Sequence, residues 1–599
     1  MINRSQTTEA LPLNIVGSST FGRYPKISIE KTYNMFMSDG WMVPYAGYQL
    51  GIAASVFLNG KEGRGIHTSV KFNRLIVVID DNVFLVNITF NQMLQKVTFS
   101  QVIKIGQLQS SHGPVYITEN NKPQICLSDG TSIYIYDPTL TPTFQTITTS
   151  FIPGYVDFHD TYFLCAASGD GFYSPPANNT WRLSGQNDGT MWPDDAASIG
   201  LLQTKPDNTQ AVVRFPSKGN LIFVFGKTVT EPWFDVGYQL FPYQRNTSFN
   251  IDYGCLTPAS IASMDELVVW LGINEKGGPV VMYSDGGMPK QITSDGFDYV
   301  LANMENPSDS QGFIYRQDGH LFYHINFYTD NLSFFVDFLK DGSHKIYHAS
   351  DENGNYFIAS EVAFFNNQYY FVSKNDGNLY VFDTIFTTYN GAEIPRTRTC
   401  KAIRKPSQEY FIANDLGFTI ETGETNYLYQ TLGPIYLTTE SLFANPINLT
   451  TQNGLQLITQ DGQSLIAQQA DLTDTYTAPP KKLITQGAQI FFTTQDGNYL
   501  VTQDDKNLVS QQFDNTDFNY LISQQSNISI TTPRVDLSIS IDGGEHFSSY
   551  DKQDLPPIGQ RKNKLAFWQL GAANDMVCQF RFWGLGRFVV TDGVVNVRQ

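Results

Sequence analysis

Two histidine pairs are the residues whose spacing comes nearest to metal chemistry. His320/His324 and His344/His348 each have the i,i+4 spacing that binds zinc on a helix. Short apolar runs typical of strands surround both pairs, and four strand positions span roughly 13 Å, too far for one ion. No glutamate follows the first histidine of either pair. We therefore expect histidines on strand faces or at the surface, and we predict no metal site.

The segment 540–547, Ser-Ile-Asp-Gly-Gly-Glu-His-Phe, resembles the Asp-box turn of sialidase-like propellers, Ser-x-Asp-x-Gly-x-x-aromatic. In such a turn the Asp542 carboxylate accepts backbone N–H bonds and Phe547 packs beneath it. This is a structural device. A glycosidase needs two carboxylates about 5–9 Å apart, and spacing identifies no such pair among the 57 acidic residues. We predict no catalytic residues.

Other signatures of chemistry are missing from the sequence. It has no phosphate-cradling glycine-rich loop, no Gly-x-Ser-x-Gly elbow and no Cys/His nucleophile arrangement. The pairs 277–278 and 286–287, both Gly-Gly, are interpreted as turns. Trp233 has the chemistry of a sugar-stacking platform, but we expect an aromatic that packs within a blade. The sequence therefore predicts no cofactor.

Charge and cysteine content narrow the classes of function. The 39 basic and 57 acidic residues give a net charge of −18. This charge argues against tightly gripped nucleic acid, which needs clustered Lys and Arg. The longest basic run is Arg-Lys-Asn-Lys at 561–564. An odd number of widely separated cysteines predicts reduced thiols in a core, made in a reducing compartment: Cys126, Cys165, Cys255, Cys400 and Cys578.

The elements that must position these residues are short strands. Pairs of apolar runs flank Asp-Gly or a similar turn at 75–86, 125–136, 313–323 and 369–382. Asp-Gly is the strongest short-range hairpin signal, because both turn residues must tolerate positive φ. Such pairs recur along the whole chain, and no helical periodicity extends beyond three turns. We therefore predict an all-β protein. No apolar stretch reaches the ~18 residues of a membrane span.

The spacing of the hairpins predicts the architecture. Between about 60 and 390 they recur every 40–50 residues, the size of a four-stranded propeller blade. We predict a β-propeller-like body, with a two-sheet sandwich as the alternative. The predicted domains are an N-terminal arm with the first strands (1–60), the body (61–395), a C-terminal β-domain (396–423 plus 533–599) and an insert (424–532).

The insert is distinguished by its composition. It is rich in Thr, Gln and Asn, poor in Lys and Arg, and carries recurring Thr-Gln-Asp-Gly turns. We predict a small hairpin-rich β-domain, inserted at a hairpin tip of the C-terminal β-domain, where insertions are best tolerated. A disordered Gln-rich loop is the alternative.

Several motifs, in a shared order, carry a family resemblance. The opening has Thr-Tyr-Asn-Met-Phe at 32–36, Tyr-Ala-Gly-Tyr at 45–48, Gly-Arg-Gly-Ile-His at 63–67 and the hairpin at 75–86. The centre has Lys-Pro-Asp at 205–207, the strand 220–226, Thr-Glu-Pro-Trp-Phe at 230–234 and Tyr-Gly-Cys at 253–255. Later segments are 268–272, 279–283, 291–293, 565–571 and 580–584. Their order resembles the packaged-DNA stabilisation proteins of short-tailed bacteriophages, the tail hub or nozzle family.

The resemblance implies a role in the virion tail. Such proteins form a homohexameric ring below the portal and adaptor, extend the channel for double-stranded DNA without reading its sequence, and carry a needle or plug and spikes or fibres. They are made in the host bacterial cytoplasm and have no membrane span. The resemblance implies no enzyme and assigns no DNA-facing residues. Two alternatives stay open: a carbohydrate-binding or depolymerising tail protein, and a propeller scaffold of unrelated origin.

Overall fold

The structure, a computed structural model, describes residues 8–24, 29–92, 95–238, 240–340, 342–422, 533–555, 563–584 and 588–598, together with the backbone of four short strands between 437 and 523. The chain divides into two compact units: Met1–Thr425 with Ile530–Gln599, and Asn426–Ser529. Most of the predicted insert lies outside the described residues. None of the helices in the described part has the length and apolar character to cross a membrane.

Five strands come first in the larger unit: β1 (Glu9–Leu13), β2 (Lys31–Tyr33), β3 (Met35–Ser38), β4 (Trp41–Pro44) and β5 (Gly47–Ile52). They do not form a separate arm. β1 pairs with the last strand of the chain, β2 joins a later sheet, and β3 and β4 form a hairpin. Residues that are distant in sequence therefore close the fold together.

Four-stranded antiparallel blades follow in order. Blade 1 contains β6 (Gly63–Ser69), β7 (Arg74–Ile79), β8 (Asn82–Asn91) and β9 (Lys96–Gln107). Blade 2 contains β10 (Tyr116–Glu119), β11 (Ile125–Ser128), β12 (Ile133–Tyr136) and β13 (Phe144–Ile147). Blade 3 contains β14 (Ile152–His159), β15 (Tyr162–Ser168), β16 (Thr180–Leu183) and β17 (Ile199–Leu201). Blade 4 contains β18 (Thr209–Arg214), β19 (Leu221–Gly226), β20 (Thr230–Asp235) and β21 (Tyr243–Arg245).

The later blades vary this pattern. Blade 5 contains β22 (Gly254–Cys255), β23 (Ala262–Met264), β24 (Leu267–Ile273), β25 (Val280–Ser284) and β26 (Lys290–Gln291). Blade 6 contains β27 (Gln311–Gln317), β28 (His320–Phe327), β29 (Leu332–Phe338) and β30 (His344–Ala349). Blade 7 contains β31 (Ala359–Phe365), β32 (Gln368–Ser373), β33 (Leu379–Asp383) and, from the N-terminal region, β5. Short 3-10 helices span Ala54–Phe57, Ala196–Ser198, Pro258–Ser260 and Pro307–Asp309.

The blades close into a ring around one axis. The first strand of each blade lies innermost, and β31 of the last blade lies beside β6 of the first. A hydrogen bond crosses this closure, from the Ile66 N–H to Glu361 Oε2 at 3.0 Å. β5 contributes the fourth strand of blade 7 and so ties the beginning of the chain to its last blade. The predicted propeller is confirmed.

The four hairpins quoted from the sequence agree with the structure, whereas the Asp-Gly pair at 295–296 forms no hairpin. The runs quoted at 75–86, 125–136 and 369–382 form the central strands of blades 1, 2 and 7, and the run 313–323 forms the first two strands of blade 6. Asp295 and Gly296 instead open α1 (Asp295–Ala302), where the Ser294 hydroxyl accepts from the Phe297 N–H. A serine cap followed by an acidic first turn stabilises a helix start.

The C-terminal β-domain consists of two sheets packed face to face. The short strands β34 (Thr388–Tyr389) and β35 (Ala392–Glu393) come before it and extend the sheet of blade 7 beyond β5. The strands of the C-terminal domain itself are β36 (Arg396–Thr399), β37 (Phe411–Thr422), β42 (Arg534–Ser540), β43 (Asp551–Asp554), β44 (Asn563–Ala573), β45 (Val577–Trp583), β46 (Phe588–Val590) and β47 (Gly593–Arg598). The smaller compact unit contains its own strands: β38 (Leu437–Glu440), β39 (Ile447–Asn448), β40 (Ile466–Ala467) and β41 (Tyr520–Ser523). One C-terminal sheet continues from blade 6 through β2 and β36.

The prediction that the insert lies at a hairpin tip is wrong. β37 precedes the insert and pairs with β44, β46 and β47, whereas β42 follows it and pairs with β43 and β45. The flanking strands thus lie in different sheets of the domain. Leu416 and Phe418 from one sheet share a core with Val535 and Leu537 from the other. The physical reason is that both strands bury one apolar face, and packing the sheets together covers both faces.

Candidate functional site: the closed axis of the propeller

The axis of the ring holds a small cavity, of about 70 Å³. Its walls come from the innermost segments of several blades, so the cavity lies where the inner strands converge. The lining residues include Tyr116, Tyr155, Pro258, Gln311, Gly312 and Glu361. A volume of this size holds a few water molecules.

Glu361 supplies a carboxylate to this cavity. Its Oε2 accepts the Ile66 N–H described above. Burial raises the pKa of Glu361 from 4.5 to about 7, and the single backbone hydrogen bond offsets only part of that effect. The rings of Tyr116 and Tyr155 lie nearby with centroids 4.8 Å apart, and burial also raises the pKa of each phenol. The axis is therefore a poorly solvated place for charge.

Glycines allow the inner strands to approach this closely. A Cβ on Gly65 would lie 2.7 Å from the Val115 carbonyl oxygen. A Cβ on Gly312 would lie 2.6 Å from the Tyr323 hydroxyl and 2.9 Å from the Ser260 carbonyl oxygen. The Tyr323 hydroxyl donates to that same carbonyl at 2.7 Å. Backbone and side chains together fill the centre of the body.

The first histidine pair belongs to the hydrogen-bonded core. His320 lies 2.9 Å from Asp337 Oδ2, which raises the pKa of that histidine. His324 is fully buried between the Tyr45 hydroxyl and Asn326 Oδ1, each at 3.0 Å, and burial lowers its pKa to about 3. Each ring thus has protein partners.

Both histidines of the second pair lie within a strand, β30, as those of the first pair lie within β28. His348 is buried and pairs with the Ser19 hydroxyl at 2.8 Å, and burial lowers its pKa to about 3. The His344 ring contacts Tyr283 and Phe338 edge-on, both at 5.1 Å. These are strand-face histidines, as the spacing on a strand predicts.

The Asp-box-like turn forms with its expected hydrogen bonds. Asp542 Oδ1 accepts the N–H groups of Glu545 and His546, both at 3.1 Å. Asp542 Oδ2 pairs with His546 Nδ1 at 2.7 Å, which raises the pKa of His546. Hydrogen bonds from the turn hold the pKa of Asp542 well below its usual range.

The predicted packing of the aromatic beneath this turn is wrong. Phe547 is 37% exposed. Ile29 lies against the turn instead, with its Cγ2 3.3 Å from the position a Cβ would take on Gly544. In the described part of the chain, Asp542, Glu545 and His546 form the one group with metal-ligand spacing. All three are exposed, and two of them already pair with each other.

The remaining sequence candidates have structural roles. Trp233 is 7% exposed and meets the Trp181 ring edge-on at 5.4 Å, so it offers no free face to a sugar. The Asn274 side chain accepts the Gly277 N–H, and the Ser284 hydroxyl accepts the Gly286 N–H, so both glycine pairs lie in turns. All five cysteines are buried and unpaired, as predicted.

Sequence reasoning missed a half-buried carboxyl, Glu361, and a buried ion pair. Glu361 lies in the run Ala-Ser-Glu-Val-Ala-Phe-Phe of β31, where a lone acid in an apolar strand is the available signal. Asp170 and Arg182 form an ion pair in blade 3 that is almost free of solvent, with Arg182 Nε donating to Asp170 Oδ2 at 2.8 Å. Asp170 falls in an Asp-Gly pair, which the sequence presents as an ordinary turn.

Comparisons with known structures found several weak similarities. Similar solved structures include the β-propeller domain of Cps50 (Swd1) from Myceliophteria thermophila, with 8% identity, a TM-score of 0.33 and coverage of 54% of this chain and 96% of that chain. BBS1N in complex with ARL6DN gives 10% identity, a TM-score of 0.32 and coverage of 58% and 97%. An ancestral GH74 enzyme gives 11% identity, a TM-score of 0.33 and coverage of 63% of this chain and 52% of that chain. None of these TM-scores supports a functional argument.

Sequence comparison gives a more specific result. A search of curated proteins gave no significant match. A family sequence model described as Bacteriophage P22 Gp10, beta-propeller, matches residues 60–387, which is more than half of the 599-residue chain. The matched segment begins just before blade 1 and ends after β33 of blade 7. The chain therefore belongs to this phage stabilisation family and is a structural protein of the phage tail and DNA-stabilisation class.

Proposed function

We propose that the chain is the tail hub, or nozzle, of a short-tailed phage: a homohexameric ring below the portal or adaptor that extends the DNA channel. In this role it helps to retain packaged DNA and carries a plug and spikes or fibres. Family membership supports the tail assignment. The ring, the channel and the docking partners go beyond the family match and are what we propose.

The closed axis is the observation that carries the proposal. The major groove alone of a DNA duplex is about 12 Å wide, so the whole duplex is wider than that. The axial cavity has a volume of about 70 Å³ and is walled by Tyr116, Tyr155 and Glu361. DNA therefore has no path through a single propeller. A DNA-conducting protein built on this body must place the channel between chains, which requires a closed ring of copies.

The charge of the chain supports a channel through which DNA slides. A net charge of −18 leaves each copy strongly acidic. Carboxylates along a lumen repel phosphates and so oppose tight binding during ejection. We expect Asp and Glu to outnumber Lys and Arg on the wall of the assembled channel. A lumen lined mainly by basic side chains would overturn this part of the proposal.

Imaging of the purified chain tests the ring directly. We expect negative-stain images to show six-fold rings, either of the chain alone or after addition of the portal complex. Native mass measurement then counts the copies. A mass that stays monomeric in both conditions contradicts the proposed hub. Phage particles that lack the protein but still retain their DNA contradict the retention role.

The insert gives a second test. We propose that 424–532 is a peripheral platform for fibres or spikes, since its composition is polar and poor in charge. Deleting 425–531 should leave ring assembly intact and reduce fibre attachment, scored by electron microscopy of tails. If the deletion abolishes ring formation, the insert belongs to the hub interface instead.

The proposed role is structural rather than enzymatic. The half-buried Glu361 carboxylate accepts a backbone N–H, and the buried Asp170 carboxylate pairs with a buried arginine. An assay of glycan hydrolysis separates this role from that of a depolymerising tail protein. Turnover by the purified full-length chain would overturn the structural assignment.

A further inference from the structure

The outer strand of blade 1, β9, differs from the other outer strands. β9 has 12 residues, whereas β13 has 4, β17 and β21 have 3 each, and β26 has 2. Proteins normally keep edge strands short, because an edge exposes a row of unpaired N–H and C=O groups. Within the described residues, β9 pairs with β8 alone. Blade 1 therefore presents a long free edge.

Part of this strand projects beyond its own blade. β7 pairs with β8 no further than Val86, opposite Leu75. The strands β8 and β9 continue to Asn91 and Lys96 as a two-stranded ribbon. Such a ribbon is marginally stable unless it packs against something.

One face of the ribbon packs on blade 7. Ile88 is fully buried there, and Val97 and Val102 are partly buried against the same core. The Phe90 ring lies 5.6 Å from the Phe386 ring. This packing fixes the ribbon on the body.

The opposite face of β9 carries exposed apolar side chains, on the ribbon and just beside it. Phe99 is 49% exposed and Ile103 is 43% exposed. Gln101 lies between them and is also exposed. An exposed ring and an exposed branched side chain beside a free edge are features of a surface that another protein covers. We name Phe99, Gln101 and Ile103, with the free edge of β9, the β9 surface.

Charge indicates what covers it. Residues 82–118 contain no Asp or Glu, although the chain has 57 acidic residues. The positive groups in this stretch include Lys96 and Lys104, at either end of the β9 surface. Two copies that each carry −18 repel one another, so contact between copies costs least where acids are missing from one partner. The β9 surface is complementary to an acidic chain, and a second copy is such a chain.

We propose that the β9 surface is the contact at which a neighbouring copy of this chain adds a strand to blade 1 in the assembled ring. The added strand satisfies the free N–H and C=O groups of β9, and its apolar side chains cover Phe99 and Ile103. Because a different patch of the neighbour supplies the strand, the contact is heterologous and propagates into a closed ring. This inference rests on the proposed ring and names the surface that forms it.

Hydrogen exchange measured on the wild-type protein tests this inference. The ring and the dissociated chain are separated by size, and exchange is followed peptide by peptide with mass spectrometry. We expect amides within 96–107 to exchange about tenfold more slowly in the ring. Equal exchange in the two forms overturns the inference. Protection that is absent from the assembled ring and develops only when a further tail protein binds to it assigns the surface to that protein and also overturns the inference.

A matched pair of variants provides the second test. Phe99→Lys combined with Ile103→Lys places charge on the β9 surface, and Phe364→Lys places it on a residue of blade 7 with the same 49% exposure as Phe99. We expect the double variant to raise the ring's dissociation constant at least tenfold and the control to leave it unchanged, with both variants keeping the wild-type melting temperature.

The outcomes separate this inference from the proposed function. If the double variant assembles like the wild type, the β9 surface is not the contact, and the ring still stands. If the wild type forms no ring either alone or with the portal complex, both proposals fail. If the double variant does not fold, the exchange measurement on the wild type decides.

Discussion

The axis of the body and the outer edge of blade 1 differ in packing, although both are built from the same repeated blade. At the axis the inner strands converge, and a Cβ added to Gly65 or Gly312 would lie within 3 Å of a neighbouring carbonyl oxygen. The pKa of the Glu361 carboxyl there is raised to about 7. At the edge β9 runs for 12 residues with an exposed apolar face. One end of a blade is surrounded by other blades, and the other end meets solvent.

This contrast indicates where a propeller of this class can act. The axis is too crowded to conduct DNA, and burial there disfavours the charged form of Glu361. The outer edge tolerates changes in length and sequence, because no further strand of the described body pairs with β9. Function is therefore expected at the outer surfaces, with the axis providing rigidity.

The largest expected effect is at the axis. Gly312→Ala adds a methyl group 2.6 Å from the Tyr323 hydroxyl and 2.9 Å from the Ser260 carbonyl oxygen. Overpacking and displacement of the buried hydrogen bond between those groups should cost about 2–4 kcal/mol. Chemical denaturation measures the change. Gly219→Ala is the control, since nothing lies within 4 Å of its added Cβ. Equal stability of the two variants would show that the inner strands move apart easily.

The next effect depends on pH. Folding raises the pKa of Glu361 from 4.5 to about 7 through burial. The folded state therefore holds this proton more tightly than the unfolded state. The group's contribution is most favourable below pH 4.5 and is lost as pH rises to about 7, a change of about 1–3 kcal/mol.

Glu361→Gln removes this dependence. Relative to the wild type, the variant should gain stability between pH 4.5 and pH 8, as followed by urea midpoints at both values. Exposed Glu352, changed to Gln, serves as the control. A wild-type-to-variant difference that is the same at both pH values would show that the Glu361 carboxyl is well solvated.

A smaller effect is expected at the edge. Phe99→Ser alone should change the free energy of unfolding of the single chain by no more than about 0.5 kcal/mol, as exposed substitutions generally do. Denaturation of the dissociated chain measures it. A loss of 2 kcal/mol or more, as for a core phenylalanine, would mean that Phe99 packs within its own chain, and the contrast between axis and edge would be weaker.

The smallest effect concerns the exposed turn of the C-terminal domain. Asp542→Asn removes the carboxylate that raises the pKa of His546. NMR titration should then show the His546 pKa falling toward about 6.5, without a change in fold. The resonance is assigned by comparison with His546→Gln. An unchanged His546 pKa would show that the ion pair does not persist in solution.

Much of the fold could be predicted from the sequence because its determinants are local. The run Leu-Ile-Val-Val-Ile at 75–79 with its turn forms β7 and β8, and the run around Asp376 forms β32 and β33. The Asp542 turn closes through hydrogen bonds to N–H groups three and four residues away. Asp295 and Gly296 form no hairpin, because an Asp-Gly pair also suits the first turn of a capped helix.

The features that define the candidate surfaces could not be predicted, because they depend on residues far apart in the chain. Nothing near Glu361 in sequence shows that its carboxyl faces the axis beside Tyr116 and Tyr155. The exposure of Phe99 depends on where β7 stops and on what blade 7 covers. That the two strands flanking the insert lie in different sheets depends on pairings between 411–422 and 563–598.

The sequence by itself determined the β-rich class, the strand-turn-strand units, the acidic charge and the family, because alternation, turn chemistry and motif order are written in neighbouring residues. Only the tertiary structure decided which acids are buried, that the axis is closed, and that one outer strand is left long and open. Burial and exposure are properties of the packed ring, and they arise from contacts between segments hundreds of residues apart.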